Sequence, residues 1–594
     1  MSSEGAVIEN LSTRKLLWIL GSLLLAQLVF YFVGGYIAPL PSSPMQFVLS
    51  RCKGSGADGS GWIGLRPKSG CRQAGATERD AVWVAQMPHV RDGVALQYSP
   101  WFQHLLGVIE FEIDCGPHAA CEQLRELNVR LDVALGYRTA ARSQWRVLKN
   151  TTVHRTLSCR AETYEEEGAE SEYRCEPVNL FELGSVPHPH YLLNLRLPDC
   201  DRSTAHRYNC FPGIVRDVHV IVINQNGGFT RVWLWLKTLL APCCIAGLVW
   251  YWRRIRMLPR EPFLLEKCIF ALGASLCVVD LPLEWLSLWL DMPFMLLLSD
   301  VRQGAFYVAL LSFWLIFTGE HVMGDAGKNR ISHYWRHLLF VGVSSACLLA
   351  FDLCERGVQI ANPFYSIWGS RLGAFVAYVF LGVAALCALA YLGFLVYKVG
   401  KVMRTIKARR ATLHRSSVAG SRKRLRLEAV VYRFKFLLIL TVVCAVCTLL
   451  LFWMEEILSV LRGAWLRGEV EWEEEEQLLD EPFFRFASAF HTGTFGMWNL
   501  YVILLLAMYA PSHKLYAEST LVSADPDEDD EIAADDSDDD GDDMQGLPTQ
   551  RRRHVGGALL REETPPASAA STEVRYSVES STLTTFLKPN AASD

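Results

Sequence analysis

Charge is what this sequence has least of for its length. Asp, Glu, Lys and Arg together make up 20% of the 594 residues, against 51% hydrophobic. The shortage is local: uncharged stretches of about 20 residues recur, the length that crosses a bilayer. Other absences narrow the function. No nucleic-acid module is present, so none is expected as a partner. No Ser/His/Asp or Cys/His set points to a nucleophile, and no cofactor is implied. Asp280 and Asp300 lack the Gly-Asp context of intramembrane aspartyl proteases, which argues against a carboxylate dyad and against an enzyme. The internal repeats and paired broken helices expected of a transporter are missing as well.

The cysteines divide the chain. Cys52, Cys71, Cys115, Cys121, Cys159, Cys175, Cys200 and Cys210 lie in one polar region, and the other nine lie in apolar runs. A thiol in an apolar run behaves as a small hydrophobe. An even set in a polar segment suits disulfides and an oxidising compartment. None of the eight has Cys-x-x-Cys spacing, which argues against a metal. Connectivity does not follow from spacing; sequence-adjacent pairs (52–71, 115–121, 159–175, 200–210) are the simplest scheme.

Residues 1–15 precede a first apolar run, 16–37, that is broken only by Gln27 and has no small-residue cleavage site, so it predicts an uncleaved anchor. Residues 38–231 are polar enough to fold outside the membrane. Alternating runs at 129–135, 191–197 and 218–223, separated by Gly, Pro and Asp turns, predict an antiparallel β-sandwich. Asn150-Thr151-Thr152 is a glycosylation acceptor. Seven further spans are predicted between 232 and 510, at 232–251, 265–290, 294–318, 338–356, 372–397, 435–457 and 486–509. Eight crossings put both termini in the cytosol and the β-domain in the lumen. Arg253, Arg254, Arg256, Arg260, Lys328, Arg330, Arg336 and the 398–435 loop then carry the basic residues of the cytosolic side. The acidic tail, 511–594, is predicted to be disordered, with Ser537 in a setting that suits an acidophilic kinase. The acidic loop at Glu473–Glu476 could dock a basic partner, although a solvated charge run is the commoner explanation.

One stretch joins the two halves. Asp352, Glu355, Arg356 and Gln359 share a helical face, so Asp352 and Arg356 are placed to pair one turn apart. Asn362-Pro363 then breaks the helix, and Phe364, Tyr365 and Trp368 form an aromatic rim. Ionisable groups recur near the same end of other spans: Asp280 and Glu284 about Pro282, Asp300 and Arg302, and His491 above Asn499. Taken singly, each suits a helix–helix contact; as a set they point to a polar-mouthed cavity. The candidate ligand-binding residues are Glu284, Asp300, Arg302, Asp352, Glu355, Arg356, Asn362, Tyr365, Trp368, His491 and Asn499.

Several blocks are familiar. Ile8-Glu9-Asn10-Leu11-Ser12, Gln225-Asn226-Gly227-Gly228-Phe229-Thr230, Val249-Trp250-Tyr251-Trp252-Arg253-Arg254 and Ser299-Asp300-Val301-Arg302-Gln303-Gly304 resemble the Wntless family of Wnt secretion mediators. So do Cys354-Glu355-Arg356-Gly357-Val358-Gln359, Asn362-Pro363-Phe364-Tyr365-Ser366-Ile367-Trp368, Gly496-Met497-Trp498-Asn499 and Tyr509-Ala510-Pro511-Ser512-His513-Lys514. The resemblance runs from about residue 6 to 515 and leans toward arthropod members. It implies a lumenal sandwich of the Golgi-dynamics type above a receptor-like seven-helix bundle. It further implies a cargo receptor for lipidated Wnt proteins, moving between ER, Golgi, endosomes and plasma membrane with cytosolic sorting machinery of the retromer or adaptor type, and in contact with membrane lipids. The Tyr-Glu-Gly-Leu adaptor signal of family members is replaced here by Leu427-Glu428-Ala429-Val430. The Cys115/Cys121 and Cys200/Cys210 pairs are additional to the family's usual set. The alternative class is a seven-helix signalling receptor, against which stands the lack of an Asp-Arg-Tyr-type switch at the cytosolic end of the third span.

Overall fold

In the computed structural model the polar N-terminal region and the apolar helices are parts of a unit that includes Gly5–Pro511. The structure describes residues 7, 13–53, 62–64, 71, 73–75, 81–88, 90–91, 94–114, 126–140, 143–162, 172–200, 208–211, 213–320, 329–415, 439, 441–443 and 485–511. The Cys115/Cys121 pair, Leu427–Val430, Glu473–Glu476, Ser537 and most of the 435–457 span lie outside these residues.

Helix α1 (Thr13–Phe32) continues into a π turn, Val33–Ile37. Among the described residues twelve strands follow: β1 (Ser42–Val48), β2 (Ser50–Lys53), β3 (Ala81–Met87), β4 (Val90–Arg91), β5 (Val94–Ala95), β6 (Leu105–Asp114), β7 (Glu126–Arg138), β8 (Arg146–Glu162), β9 (Glu172–Cys175), β10 (Val178–Leu183), β11 (His190–Arg196) and β12 (Ile214–Gln225). β4 and β5 pair only with each other; the rest are ordered β1-β12-β6-β9-β8-β7-β11-β3-β2, with β10 also on β6. All these pairings are antiparallel. The long β8 makes this a sandwich. Its body pairs with β7, while its last residues, Cys159–Glu162, pair with β9, so one strand serves both layers. Val218, Val220 and Val222 alternate inward from β12 and meet Leu131, Val133, Leu193 and Leu195 in one core, as a period of two requires. Cys159–Cys175 closes the β8–β9 corner, and Cys52–Cys71 and Cys200–Cys210 are also formed. Asn150 is exposed on β8.

The sheet runs directly into the membrane part. Asn226 ends β12 and caps helix α2 (Gly227–Arg256), its side-chain oxygen accepting from Gly228 N at 2.9 Å. Then come α3 (Leu264–Asp280), α4 (Glu284–Ser287), α5 (Met295–Glu320), α6 (Trp335–Asp352), α7 (Arg371–Arg415) and α8 (Phe486–Tyr509). Among the described residues, six helices, the first at Arg14–Ile37, are long and apolar enough to cross a membrane. The seventh expected span, 435–457, is described only at 439 and 441–443, where it is helical and Thr441 Oγ1 meets Tyr501 OH of α8 at 2.8 Å.

Two expectations need correction. The predicted 265–290 span is not one helix: α3 stops at Asp280 after 17 residues. Leu281 is extended, as a residue before proline must be, and Pro282 has no N–H to continue the ladder. At about 1.5 Å per residue α3 is only ~25 Å long. The second correction concerns Arg356. A π turn, Leu353–Gly357, follows α6, and its larger number of residues per turn changes the angular alignment with Asp352. Arg356 forms its ion pair with Asp300 of α5 instead.

Gln27 of the first span donates to Gly493 O of α8 at 2.9 Å. Gly493 and Gly496 lie against the rings of Tyr31 and Phe30, so closely that a Cβ at either would fall about 2.2 Å from a ring carbon. Small residues there let aromatic rings of α1 seat directly against the α8 backbone.

Candidate functional site

The predicted site residues fall into two groups. The first is closed. At the α3 break, Glu284 Oε1 accepts from Lys237 Nζ of α2 at 2.7 Å and from Arg302 Nη2 of α5 at 2.6 Å. Arg302 Nη1 also reaches Leu281 O at 2.9 Å, so the guanidinium satisfies a carbonyl left open where α3 ends. One turn deeper, Asn499 of α8 donates to Asp280 at 3.2 Å. Both are fully buried, and Lys237, Glu284 and Arg302 are each less than a tenth exposed. Two cations and two carboxylates thus balance inside the bundle, on α2, α3, α4 and α5, and Asn499 brings in α8. Lys237 was not anticipated: a single lysine in an otherwise apolar run was its only signal. His491 stands apart, its ring 6.1 Å from that of Phe229.

The second group lies where helices and β-domain meet. Asp300 and Arg356 pair across α5 and the π turn. Glu355 holds the chain that follows: its carboxylate accepts from Ile367 N at 2.6 Å and from Gln359 Nε2 at 3.2 Å. The segment between, Asn362 to Ile367, is seated on the β-domain. Glu182 N donates to Pro363 O at 2.8 Å. Arg155, on β8 and 9% exposed, sends Nη2 to Phe364 O at 2.8 Å and Nε to Asn179 O at 2.8 Å. Its planar fork thereby ties two strands and the loop together. Burial lowers the pKa of that guanidinium, and the negative charge of Glu355 opposes the effect.

Phe364 therefore does not belong to an aromatic rim. It is 1% exposed within the sandwich core, edge-on to Phe181 at 6.0 Å. Tyr365 packs on a small cluster of Phe351, Ile367 and Ala377. Trp368 keeps 40% of its surface exposed and meets Tyr378 of α7 at 5.2 Å. Asp352 is half-buried at the end of α6, and Asn362 Oδ1 is buried with no hydrogen-bond partner.

Beside this loop lies a cavity of about 260 Å³, lined from the β-domain by Lys149, Glu182, His188 and Tyr191 and from the helices by Asp291, Leu297, Arg356 and Gln359. Arg356 is the only predicted site residue on its wall. The floor is drawn close: a Cβ on Gly184 would fall 2.3 Å from Pro293 O, and Ser185 donates to Asp291 at 2.6 Å. On the other flank His104 sits near Arg356 and hydrogen-bonds to Gln225. Burial and the Arg356 charge lower its pKa to about 4. Neither Arg155 nor His104 had a sequence signal beyond being polar in a β-type run. Among the described residues no cluster of His, Cys, Asp and Glu could hold a metal ion.

A disulfide-bonded β-sandwich continuous with a polytopic helix bundle, and latched to it by the loop after α6, defines a multi-pass membrane protein. Two family models divide the chain at the strand-to-helix junction: the Wntless GOLD domain matches residues 66–225 and the Wntless-like transmembrane domain matches 226–513. The chain is 41% identical to a wntless homologue of Caenorhabditis elegans, over 88% of this chain and 95% of that one. It is 41% identical to homologue B of Xenopus laevis (86% and 92%) and 40% identical to the wntless of Drosophila pseudoobscura (86% and 90%). The chain belongs to the Wntless family. These identities give no preference to the arthropod relative.

Proposed function

We propose that this protein is a non-enzymatic carrier for Wnt secretion, binding acylated Wnt at the β-domain–helix junction and taking it from ER and Golgi to the cell surface. The observation that carries this reading is the latched loop, which brings a polar mouth and an apolar helix surface into one place. Arg356 and Gln359, which line the cavity, offer partners to a peptide backbone. The helices beneath offer apolar surface to a lipid. A chain of ~16 carbons at about 0.8 kcal/mol per CH₂ would contribute on the order of 10 kcal/mol before ordering costs. Cytosolic termini, a glycan on Asn150 and recycling through sorting machinery belong to the same proposal.

The test is co-purification with a Wnt in two forms, wild type and with its acylated serine changed to alanine. Capture of the acylated form alone supports the carrier reading. Equal capture moves recognition to the β-domain surface, and capture of neither rejects it.

A further inference from the structure

At the end of the bundle far from the β-domain, α6 begins and the second half of α7 passes it. The His337 ring stacks on Phe394 at 3.7 Å, and Lys398 Nζ lies 5.1 Å from the same ring. One aromatic face thus holds a histidine from α6 and a lysine from α7. Arg336 is exposed on the adjoining turn, with its guanidinium 5.8 Å from the Trp335 ring, and Lys401 is exposed one turn beyond Lys398. The charges of Arg336 and Lys398 both bear on His337, and that of Lys401 bears on Lys398. Among the described residues no carboxylate pairs with Arg336, His337 or Lys398; the nearby Glu320 is taken by Tyr334 OH at 3.0 Å and by Asn329 N. His337 Nδ1 is buried without a hydrogen-bond partner. Around this cluster, Ile331, Trp335 and Tyr397 are each more than half exposed.

Like charges gathered from two helices repel one another, so an anion that neutralises them all would bind favourably. The exposed rings and aliphatic chain at the same level are those of a membrane interface, where lysine and arginine extend toward the headgroups. A basic pocket between membrane helices on the side with excess Lys and Arg suits a polyanionic lipid headgroup. We infer that Arg336, His337 and Lys398 form a binding site for a phospholipid carrying more than one phosphate, of the phosphorylated inositol type. The phosphates take the two cations and a hydrogen bond from His337, and the acyl chains lie against the exposed apolar residues. This site does not depend on the cargo reading.

The test is native mass spectrometry of the purified full chain, released from nanodiscs of phosphatidylcholine that contain either a bisphosphorylated phosphatidylinositol or phosphatidylserine at equal total charge. Selective retention of the bisphosphorylated lipid is expected. Arg336→Gln with Lys398→Gln should lower its occupancy about tenfold or more. Arg336→Lys with Lys398→Arg should keep it, and Arg253→Gln, at the end of α2, should leave it unchanged. Equal retention of both lipids, or full retention by the double glutamine variant in a folded state, overturns the inference. Competition by free inositol phosphate as strong as by the lipid would reduce the site to a soluble-anion site and overturn the lipid assignment.

Discussion

The two polar groups toward the β-domain differ in one respect above all others. Lys237, Asp280, Glu284, Arg302 and Asn499 are each less than a tenth exposed, and their bonds run from helix to helix. Asp300, Glu355, Arg356 and Tyr365 keep part of their surface open, and Arg356 lines a cavity. Both groups looked alike in sequence, as charges near the ends of apolar runs. Burial on all sides commits a charge to its neighbours, since removing one partner leaves the other stranded. Partial exposure lets water replace a lost partner and leaves the group available to a ligand.

The comparison is broken most directly at Glu284. Glu284→Ala deprives Lys237 and Arg302 of their common acceptor and should cost about 4 kcal/mol or more. Lys237→Met should cost less, about 2 kcal/mol, because Arg302 still neutralises the carboxylate. Thermal unfolding of the full chain in detergent checks both, and a smaller loss for Glu284→Ala than for Lys237→Met would show that the group is not closed.

The latch comes next in size. Phe364→Ala empties a seat in the sandwich core and should cost about 3 kcal/mol. Hydrogen exchange should rise in β8, β10 and the 358–369 segment while the α2–α3 region keeps its protection. Uniform loss of protection would mean that loop and bundle unfold as one. Smaller again is the stability effect of Arg356→Gln, about 1 kcal/mol for a partly exposed pair. Its capture of acylated Wnt should nevertheless fall about tenfold. Normal capture would remove Arg356 from the cargo site.

What could be read from sequence follows the same division. The β-sandwich and most spans were legible because periods of two and long apolar runs are set by burial along a single element. The α3 break was legible in Pro282 and was overridden by the apolar residues on both sides of it. The partner of Arg356 was not legible, because a π turn changes the angular spacing without any proline or glycine at its start. The seat of Phe364 could not be read either: an aromatic residue near a membrane suits an interface as well as a protein core, and only the position of β10 decides. Lys237 was hidden for the opposite reason, its charge being cancelled by residues distant in sequence, such as Glu284 and Arg302.

The smallest expected effect concerns His104, which shares the open junction yet is held neutral. Its folded pKa, about 4, lies below the unfolded value of 6.5. The unfolded chain therefore binds more protons between these values, and stability rises with pH across that window. The contribution is full above about pH 6.5 and is lost as pH falls toward about 4, because protonation would bury a charge and set it beside that of Arg356. The midpoint of β-domain unfolding should fall by a few degrees between pH 7 and pH 5 on this account. His104→Gln should flatten the slope without abolishing folding. If Arg356→Gln also flattens it in part, the two side chains are electrostatically coupled across the junction; if only His104→Gln does so, burial alone holds the imidazole neutral and the open group behaves, at this one residue, like the closed one.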